Sequence, residues 1–176
     1  MIVVKKDFLD ETVLNEILML TDTKVNSFSP EWYTNQSWPE GIRRGCGTVC
    51  VLPLDSYVKP IKDALCLVDK KYGEYKLRAQ LYLWTPGSFI PWHRDGNKDL
   101  GCTIYLNKNW DQNSGGIYLY KGEEMEIRGE FPEFNKLVLN DSNVEHHVTM
   151  IPNSCMENRI TLQVWGWKKT DVIGFD

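Results

Sequence analysis

The sequence predicts a mainly β protein of the α+β class: a double-stranded β-helix (jelly roll) with N-terminal helices packed on one sheet. Two observations support this prediction. The two segments with helical periodicity both lie within residues 1–72. After Gly73, short β-branched and aromatic segments alternate with turn residues at even spacing. Strands that follow a helical front in this way are typical of a jelly roll or sandwich.

The front of the chain contains two predicted helices. Asp10 is a typical N-cap residue, and apolar residues follow it at helical spacing: Val13, Leu14, Ile17 and Leu18. A second helix is predicted from about Ser56 to Tyr72, with one apolar face: Val58, Ile61, Leu65 and Val68. Short strands are expected at Val3–Val4 and over residues 47–54.

The predicted strands of the β-rich core cover residues 76–85, 89–95, 101–107, 115–122, 135–141, 146–151 and 159–167. No internal repeat, low-complexity tract or linker interrupts the sequence. We therefore expect one domain over residues 1–176, with a helical front (1–72) and a catalytic core (73–169).

Composition and charge exclude several classes of protein. A net charge of −4, with acidic and basic residues mixed along the chain, argues against a general nucleic-acid binder. The first residues lack the order of a signal peptide, and no apolar run is long enough to span a bilayer. Five scattered cysteines without a CxxC pair predict free thiols. A cytoplasmic protein is expected.

The histidines indicate a metal site. The sequence has only three, His93, His146 and His147. His93 and Asp95 are two residues apart, so they share a face at the end of a predicted strand. Neighbouring strand residues face opposite ways, so only one of His146 and His147 can join them. Two imidazoles and a carboxylate form a facial triad, which suits non-heme Fe(II). His93-Arg94-Asp95 alone is also common as a surface pair or capping turn.

The last predicted strand carries an unusual polar face. Arg159, Thr161, Gln163 and Trp165 share that face, which does not suit an apolar core. A buried arginine needs an anion, and its planar fork matches a carboxylate. The anion is either one of the chain's own carboxylates or a dicarboxylate ligand, unless this face is solvated. Tyr105 adds a hydroxyl within an apolar strand, although it also fits as a core tyrosine.

These segments together resemble the prolyl 4-hydroxylase branch of the 2-oxoglutarate/Fe(II) oxygenases. The resemblance runs from about Leu81 to Trp167 and rests on motifs in matching order: TPGSFIPWHRD, IYLNKNWDQNSGG, HHV and RITLQVW. It implies iron(II) as the metal and 2-oxoglutarate and O2 as co-substrates, with ascorbate as an accessory reductant.

The resemblance implies a role for each matching residue. His93, Asp95 and His146 fall on the iron ligands, and His146 is chosen over its neighbour because Val148 completes the family's H-x-V. These three are the expected catalytic residues. The span after His146 is longer than in several relatives, so residues 151–158 are expected to form an enlarged turn.

The same resemblance implies which residues contact the co-substrate and the substrate. Tyr105 and Arg159 fall on residues that bind the distal carboxylate of 2-oxoglutarate, and Trp165 falls on the aromatic residue that lines the substrate cavity. One departure is Trp84, which stands where many members have a tyrosine three residues before the glycine, with Tyr82 on the same strand face.

The implied activity is hydroxylation of prolyl residues in a peptide or protein, with release of succinate and CO2. Alternatives are an oxygenase acting on a free amino acid or other small molecule, a nucleobase-demethylating oxygenase, and a non-catalytic metal- or ligand-binding jelly-roll module. The acidic balance disfavours the nucleobase enzyme, and the complete His-Asp-His-Arg set disfavours the non-catalytic module.

Residues 23–46 are rich in Asn, Ser, Pro, Gly and Trp and predict a long loop. Its aromatic and basic residues make it a candidate to close over a substrate: Trp32, Tyr33, Trp38, Arg43 and Arg44. Aromatic packing beneath a long connection is the alternative.

Overall fold

The computed structural model describes residues 1–26, 33–34 and 49–168. Its helices are α1 (Glu11–Asn26) and α2 (Val58–Val68). Short 3-10 helices lie at Asp55–Tyr57, Lys70–Glu74 and Gln112–Ser114. The strands of the described ranges are β1 (Ile2–Lys5), β2 (Tyr33–Thr34), β3 (Val49–Pro53), β4 (Tyr75–Trp84), β5 (Ile90–His93), β6 (Leu100–Tyr105), β7 (Tyr118–Lys121), β8 (Ile127–Glu130), β9 (Leu137–Asn140), β10 (His146–Val148) and β11 (Arg159–Lys168).

The strands form two antiparallel sheets. The large sheet has the order β1-β9-β6-β11-β4-β3-β2, and the small sheet has the order β5-β10-β7-β8. Apolar residues of the two sheets share one buried cluster, which includes Tyr82 and Val138 of the large sheet and Ile90 and Val148 of the small one. The predicted fold class, a mainly β jelly roll behind N-terminal helices, is confirmed.

The large sheet has two different faces because side chains alternate along each strand. Leu162 and Val164 of β11 pack with Ile61 and Leu65 of α2 in the core between the helices and the sheet. The intervening residues of β11 point to the small sheet. This alternation separates an apolar layer that stabilises the fold from a polar layer that faces the other sheet.

Both predicted helices are present, with different ends. The N–H of Val13 donates to Asp10 Oδ1 at 3.0 Å, so Asp10 caps α1 as predicted. Because α1 continues to Asn26, residues 23–26 are helical and not part of a loop. The second helix is shorter than predicted: it ends at Val68, since Asp69 is extended with φ of −155°.

The sequence did not predict β8. This strand pairs only with β7, at the edge of the small sheet, and its residues Ile127–Glu130 are mostly exposed. An exposed edge strand needs no alternation of apolar and polar residues, so the usual signal is missing. In the predicted 23–46 loop, Tyr33–Thr34 pairs with β3. Residues 27–32 and 35–48, with Trp32, Trp38, Arg43 and Arg44, lie outside the described residues.

Two further expectations concern thiols and membranes. Cys50, Cys66, Cys102 and Cys155 are free thiols, as predicted, whereas Cys46 is not among the described residues. In the part of the chain that the structure describes, no helix has the length and apolar character needed to cross a bilayer.

Candidate metal centre

Three side chains that the sequence singled out converge at one edge of the small sheet. His93 ends β5, Asp95 follows it in the next loop, and His146 begins β10 directly opposite His93. His93 Nε2 lies 3.7 Å and His146 Nε2 lies 3.9 Å from Asp95 Oδ1. One donor atom of each residue lies within 4.8 Å of the others. This spacing allows all three to bind a single ion.

Each imidazole is oriented by a backbone carbonyl. His93 Nδ1 lies 2.9 Å from the Pro91 carbonyl oxygen, and His146 Nδ1 lies 2.9 Å from that of Val144. A proton on Nδ1 satisfies these contacts and leaves the Nε2 lone pair directed at Asp95, as in metal-binding histidines. Burial lowers the pKa of His146, which favours the neutral ring that metals require.

A loop asparagine holds the carboxylate ligand in place. Asn143 Oδ1 accepts the Asp95 N–H at 2.7 Å, and its Nδ2 donates to the Gly96 carbonyl at 2.9 Å. The Asn143 carbonyl also accepts from Arg94 Nη1 at 2.7 Å. Asn143 has φ of 48°, a left-handed conformation that asparagine tolerates. Sequence reasoning missed this residue; the turn-forming DSN just before the His146 strand was the available signal.

Gly101 allows two site residues to approach the sheet. A Cβ at this position would lie 2.7 Å from Asp95 Oδ2 and 3.2 Å from Trp165 Cζ3. Any side chain here would displace the carboxylate or the indole. The sequence contains this glycine within a strand, which is a sign of close approach, but does not identify what approaches it.

Arg159 and Tyr105 are buried beside this centre with unpaired polar atoms. Arg159 is 1% exposed; its Nη1 donates to the Gly116 carbonyl at 2.6 Å and its Cζ lies 4.4 Å from the Trp84 ring centroid. Among the described residues, Arg159 Nε, Arg159 Nη2 and the Tyr105 hydroxyl have no hydrogen-bond partner. Burial lowers the pKa of Arg159 to about 10 and raises that of Tyr105 to about 12.

These unpaired atoms fit an anionic ligand. A buried cation without a partner destabilises the fold by roughly 3–5 kcal/mol, comparable with breaking a buried ion pair. No carboxylate of the described chain supplies the missing contacts to Arg159. A carboxylate ligand would accept from Arg159 through two parallel N–H groups and from the Tyr105 hydroxyl. A dicarboxylate such as 2-oxoglutarate therefore suits this donor set.

A cavity of about 490 Å³ opens above the three ligands. Besides the ligands it is lined by aromatic, amide and basic residues: Arg78, Gln80, Tyr82, Trp84, Arg94, Asn97, Lys98, Thr103, Tyr118, Gln163, Trp165 and Trp167 among others. Trp84 borders it and also stacks on Arg159.

The remaining predicted residues take distinct positions. Trp165 lines the cavity and is partly buried. His147 lies on the opposite face of β10 from His146 and stacks on Trp92, with ring centroids 5.5 Å apart. The geometry therefore brings His146, not His147, to Asp95. Thr161 of β11 lies on the cavity side of the sheet: its Oγ1 accepts a hydrogen bond at 2.9 Å from Nε1 of Trp84, which lines the cavity.

The sequence model of the 2OG-Fe(II) oxygenase superfamily matches residues 77–167, just over half of the chain. The chain belongs to this superfamily. It is therefore an oxygenase that uses iron(II), 2-oxoglutarate and O2, and the His-Asp-His cluster lies within the matched region. No curated protein matches this oxygenase in sequence.

Solved structures share the oxygenase's fold at low sequence identity. A Pseudomonas putida prolyl-4-hydroxylase is 16% identical with a TM-score of 0.75, covering 93% of this chain and 91% of its own. A Trichoplax adhaerens prolyl hydroxylase in complex with a hypoxia inducible factor peptide fragment is 16% identical with a TM-score of 0.76, covering 96% and 84%. A non-heme α-ketoglutarate-dependent epimerase of nogalamycin biosynthesis is 14% identical with a TM-score of 0.65, covering 95% and 77%.

Proposed function

We propose that this oxygenase hydroxylates prolyl residues in a peptide or protein, with His93, Asp95 and His146 as the iron ligands. The observation that carries the site assignment is the approach of three donor atoms within 4.8 Å at the floor of a cavity. The prolyl substrate is supported by the two prolyl hydroxylases of similar fold, one of which was solved with a peptide.

The roles follow from the positions of the side chains. Two imidazoles and one carboxylate bind one face of the ion and leave the other face for co-substrates. When bound, iron(II) and 2-oxoglutarate supply the oxidation of a C–H bond by O2, with succinate and CO2 as products. Arg159 and Tyr105 bind the distal carboxylate, and Trp165 forms a wall of the substrate cavity.

The site assignment is tested by anaerobic reconstitution. Iron(II) and 2-oxoglutarate should give the weak visible charge-transfer band of the chelate in the wild-type protein. His93→Ala and Asp95→Ala should abolish that band, because each removes a ligand. Arg159→Met should keep iron binding but raise the 2-oxoglutarate concentration needed for the band by about tenfold or more, since one charged hydrogen-bonding partner is lost.

His147→Ala is the matched control, because it removes a neighbouring imidazole that faces away from the cavity. The control should retain the band. A wild-type protein that forms no band, or a His147→Ala variant that loses it while His146→Ala keeps it, would contradict the assignment.

The substrate is tested separately. Proline-containing peptides and free proline are incubated with the complete system, and mass spectrometry locates the added oxygen atom. We expect the added oxygen atom on proline residues of the peptides, with one succinate released for each hydroxylation. Turnover of free proline alone would favour the small-molecule alternative, and succinate without any proline oxidation would exclude a prolyl substrate.

A further inference from the structure

The cavity of the oxygenase carries an excess of basic side chains. Arg78, Arg94 and Lys98 border it, and Asp95 is the only acidic residue among the described residues that do. Asp95 is already assigned to the metal. Arg94 interacts electrostatically with Glu145, which does not line the cavity, and Lys98 interacts with Asp95 itself. The cavity therefore presents more cationic groups than it has carboxylates to balance them.

Basic residues elsewhere in the described chain fall into two groups. Many of them form ion pairs with a nearby carboxylate: Lys6 with Glu133, Lys59 with Asp63, Lys71 with Asp141, Lys121 with Glu145, Arg128 with Glu126, and Lys136 with Glu130. Most of the others, such as Lys5, Lys70 and Lys108, are exposed to solvent and do not line the cavity. Arg78, Arg94 and Lys98 differ from both groups because they line a cavity and form no ion pair there with a described carboxylate.

Lys98 is the most constrained of the three cations. Its ammonium lies 4.3 Å from the centroid of the Trp165 ring and 3.4 Å from the Asp95 carbonyl oxygen. The side chain is partly buried. The indole face stabilises a cation here, and the carboxylate whose charge acts on this ammonium, Asp95, is assigned to the metal.

Arg78 stands opposite Trp165 in the antiparallel pairing of β4 with β11, and both residues line the cavity. Directly opposite residues of paired strands lie on the same face of the sheet. Trp165 therefore has one cationic neighbour across the sheet, from β4, and one over its ring, from the loop before β6. Arg94 contributes charge, but its Nη1 is already engaged by the Asn143 carbonyl.

The excess positive charge persists when the site is loaded, on the proposed function. Iron(II), Arg159 and the three cavity cations carry six positive charges, whereas Asp95 and the two carboxylates of 2-oxoglutarate carry three negative ones. A cleft lined by one sign of charge concentrates ligands of the opposite sign. We propose that the substrate carries a carboxylate, bound by Lys98 and Arg78 beside Trp165, and that this substrate is an acidic peptide.

The inference rests on the proposed function and is tested by binding as well as turnover. Mn(II) replaces iron to give a loaded but unreactive protein. The probes are end-blocked proline peptides that differ only by Glu or Gln beside the proline. The Glu peptide should bind about tenfold more tightly, since a charged hydrogen bond is gained, and the difference should shrink as salt is raised.

Lys98→Met and Arg78→Met should each reduce the preference for the Glu peptide, and the double variant should remove it. Lys59→Met is the matched control, because Lys59 is exposed on α2 and does not line the cavity. It should keep the preference. The chelate band of each variant verifies that its metal site is intact. Loss of the band would count against the proposed function and not against this inference.

Two further arms identify the source of the carboxylate. A neutral peptide with a free C-terminus and free proline are compared with their blocked forms. A preference for the free carboxylate that both variants lose supports the site and assigns it to a substrate terminus. Equal binding of Glu and Gln peptides without any effect of the free terminus, or no binding of acidic peptides while the chelate forms, overturns the proposal.

Discussion

At the scale of single residues, the site contains buried donor groups that have no hydrogen-bond partner among the described residues. Arg159 and Tyr105 are both 1% exposed and keep unpaired donors. Such groups are rare in folded proteins and are retained where a ligand completes them. Trp84 modifies this arrangement, because it stacks on the guanidinium while also lining the cavity. Trp84 therefore links the arginine to the cavity wall.

Gly101 provides a direct test at the same scale. Gly101→Ala places a methyl group 2.7 Å from Asp95 Oδ2, so the carboxylate must shift away from the imidazoles. We expect metal affinity to fall by about tenfold or more, as for loss of groups that orient metal ligands. Anaerobic titration with Mn(II) measures the affinity.

Gly73→Ala serves as the control for this substitution. Its Cβ would contact only Cys66 Sγ, at 3.3 Å, away from the site. Metal affinity should stay at the wild-type value in this variant. An unchanged affinity in Gly101→Ala would show that the Asp95 carboxylate tolerates displacement or is not a ligand.

At the scale of elements, the metal centre joins two loops. His93 and His146 lie on paired strands, β5 and β10, whose hydrogen bonds set their separation. Asp95 lies beyond the end of β5 and has no strand to hold it. Asn143, in the loop before β10, replaces that support with hydrogen bonds to Asp95 and Gly96. Asp95 is thus positioned by a loop-to-loop contact.

Two substitutions of Asn143 separate its functions. Asn143→Gly removes the side-chain hydrogen bonds but accommodates the positive φ, whereas Asn143→Ala removes the bonds and adds backbone strain. Both should weaken Mn(II) binding, by about tenfold. The alanine variant should also lose about 1 kcal/mol more stability in denaturant unfolding. Wild-type metal affinity in both variants would exclude a positioning role for Asn143.

At the scale of the whole molecule, Asp141 connects separate parts of the chain. It pairs with Lys71 at 2.8 Å and with the Met1 amino group at 3.5 Å, and it accepts from the Tyr72 hydroxyl at 3.1 Å. The N-terminal strand, the segment after α2 and the loop after β9 meet at this carboxylate. Its protonation should therefore affect global stability.

The pH dependence has a definite sign. Burial alone would raise the pKa of Asp141, but hydrogen bonds from Lys71, Ser142 and Tyr72 outweigh it, and the pKa lies below its usual value. The contribution to stability is therefore present above the unfolded-state pKa of about 4 and is lost as pH falls through the lower folded-state pKa.

Asp141→Asn should consequently lower the free energy of unfolding at neutral pH by about 1 kcal/mol. The gap to wild type should narrow as pH falls below about 4. Urea unfolding across this pH range measures the difference in unfolding free energy between the variant and the wild type. Asp63→Asn, which removes an exposed ion pair on α2, is the control and should have a smaller effect. A gap that widens on acidification would contradict the assigned direction.

The sequence by itself predicted the fold class, and it named three residues, His93, Asp95 and His146, that the structure brings together. Alternation along β11 predicted which face carries Arg159, and the spacing of His93, Asp95 and His146 followed a recognisable order. Such patterns involve residues that are close in sequence, so a single sequence is enough to recognise them. The sequence did not predict the exposed edge strand β8, because β8 lacks that pattern. The predicted second helix was longer than the observed one, because the observed helix ends before Asp69 without a Pro or Gly to signal its end.

Only the tertiary structure decided which groups meet across long stretches of chain. It selected His146 over His147 by geometry, placed Asn143 against Asp95, and set Trp84 between the cavity and Arg159. It also brought Arg78 and Lys98 into the lining of one cavity. These contacts depend on strand register and loop conformation, which sum many weak interactions over the whole molecule. No local pattern in the sequence encodes them, so the sequence could predict candidate metal ligands but not the residues that surround them.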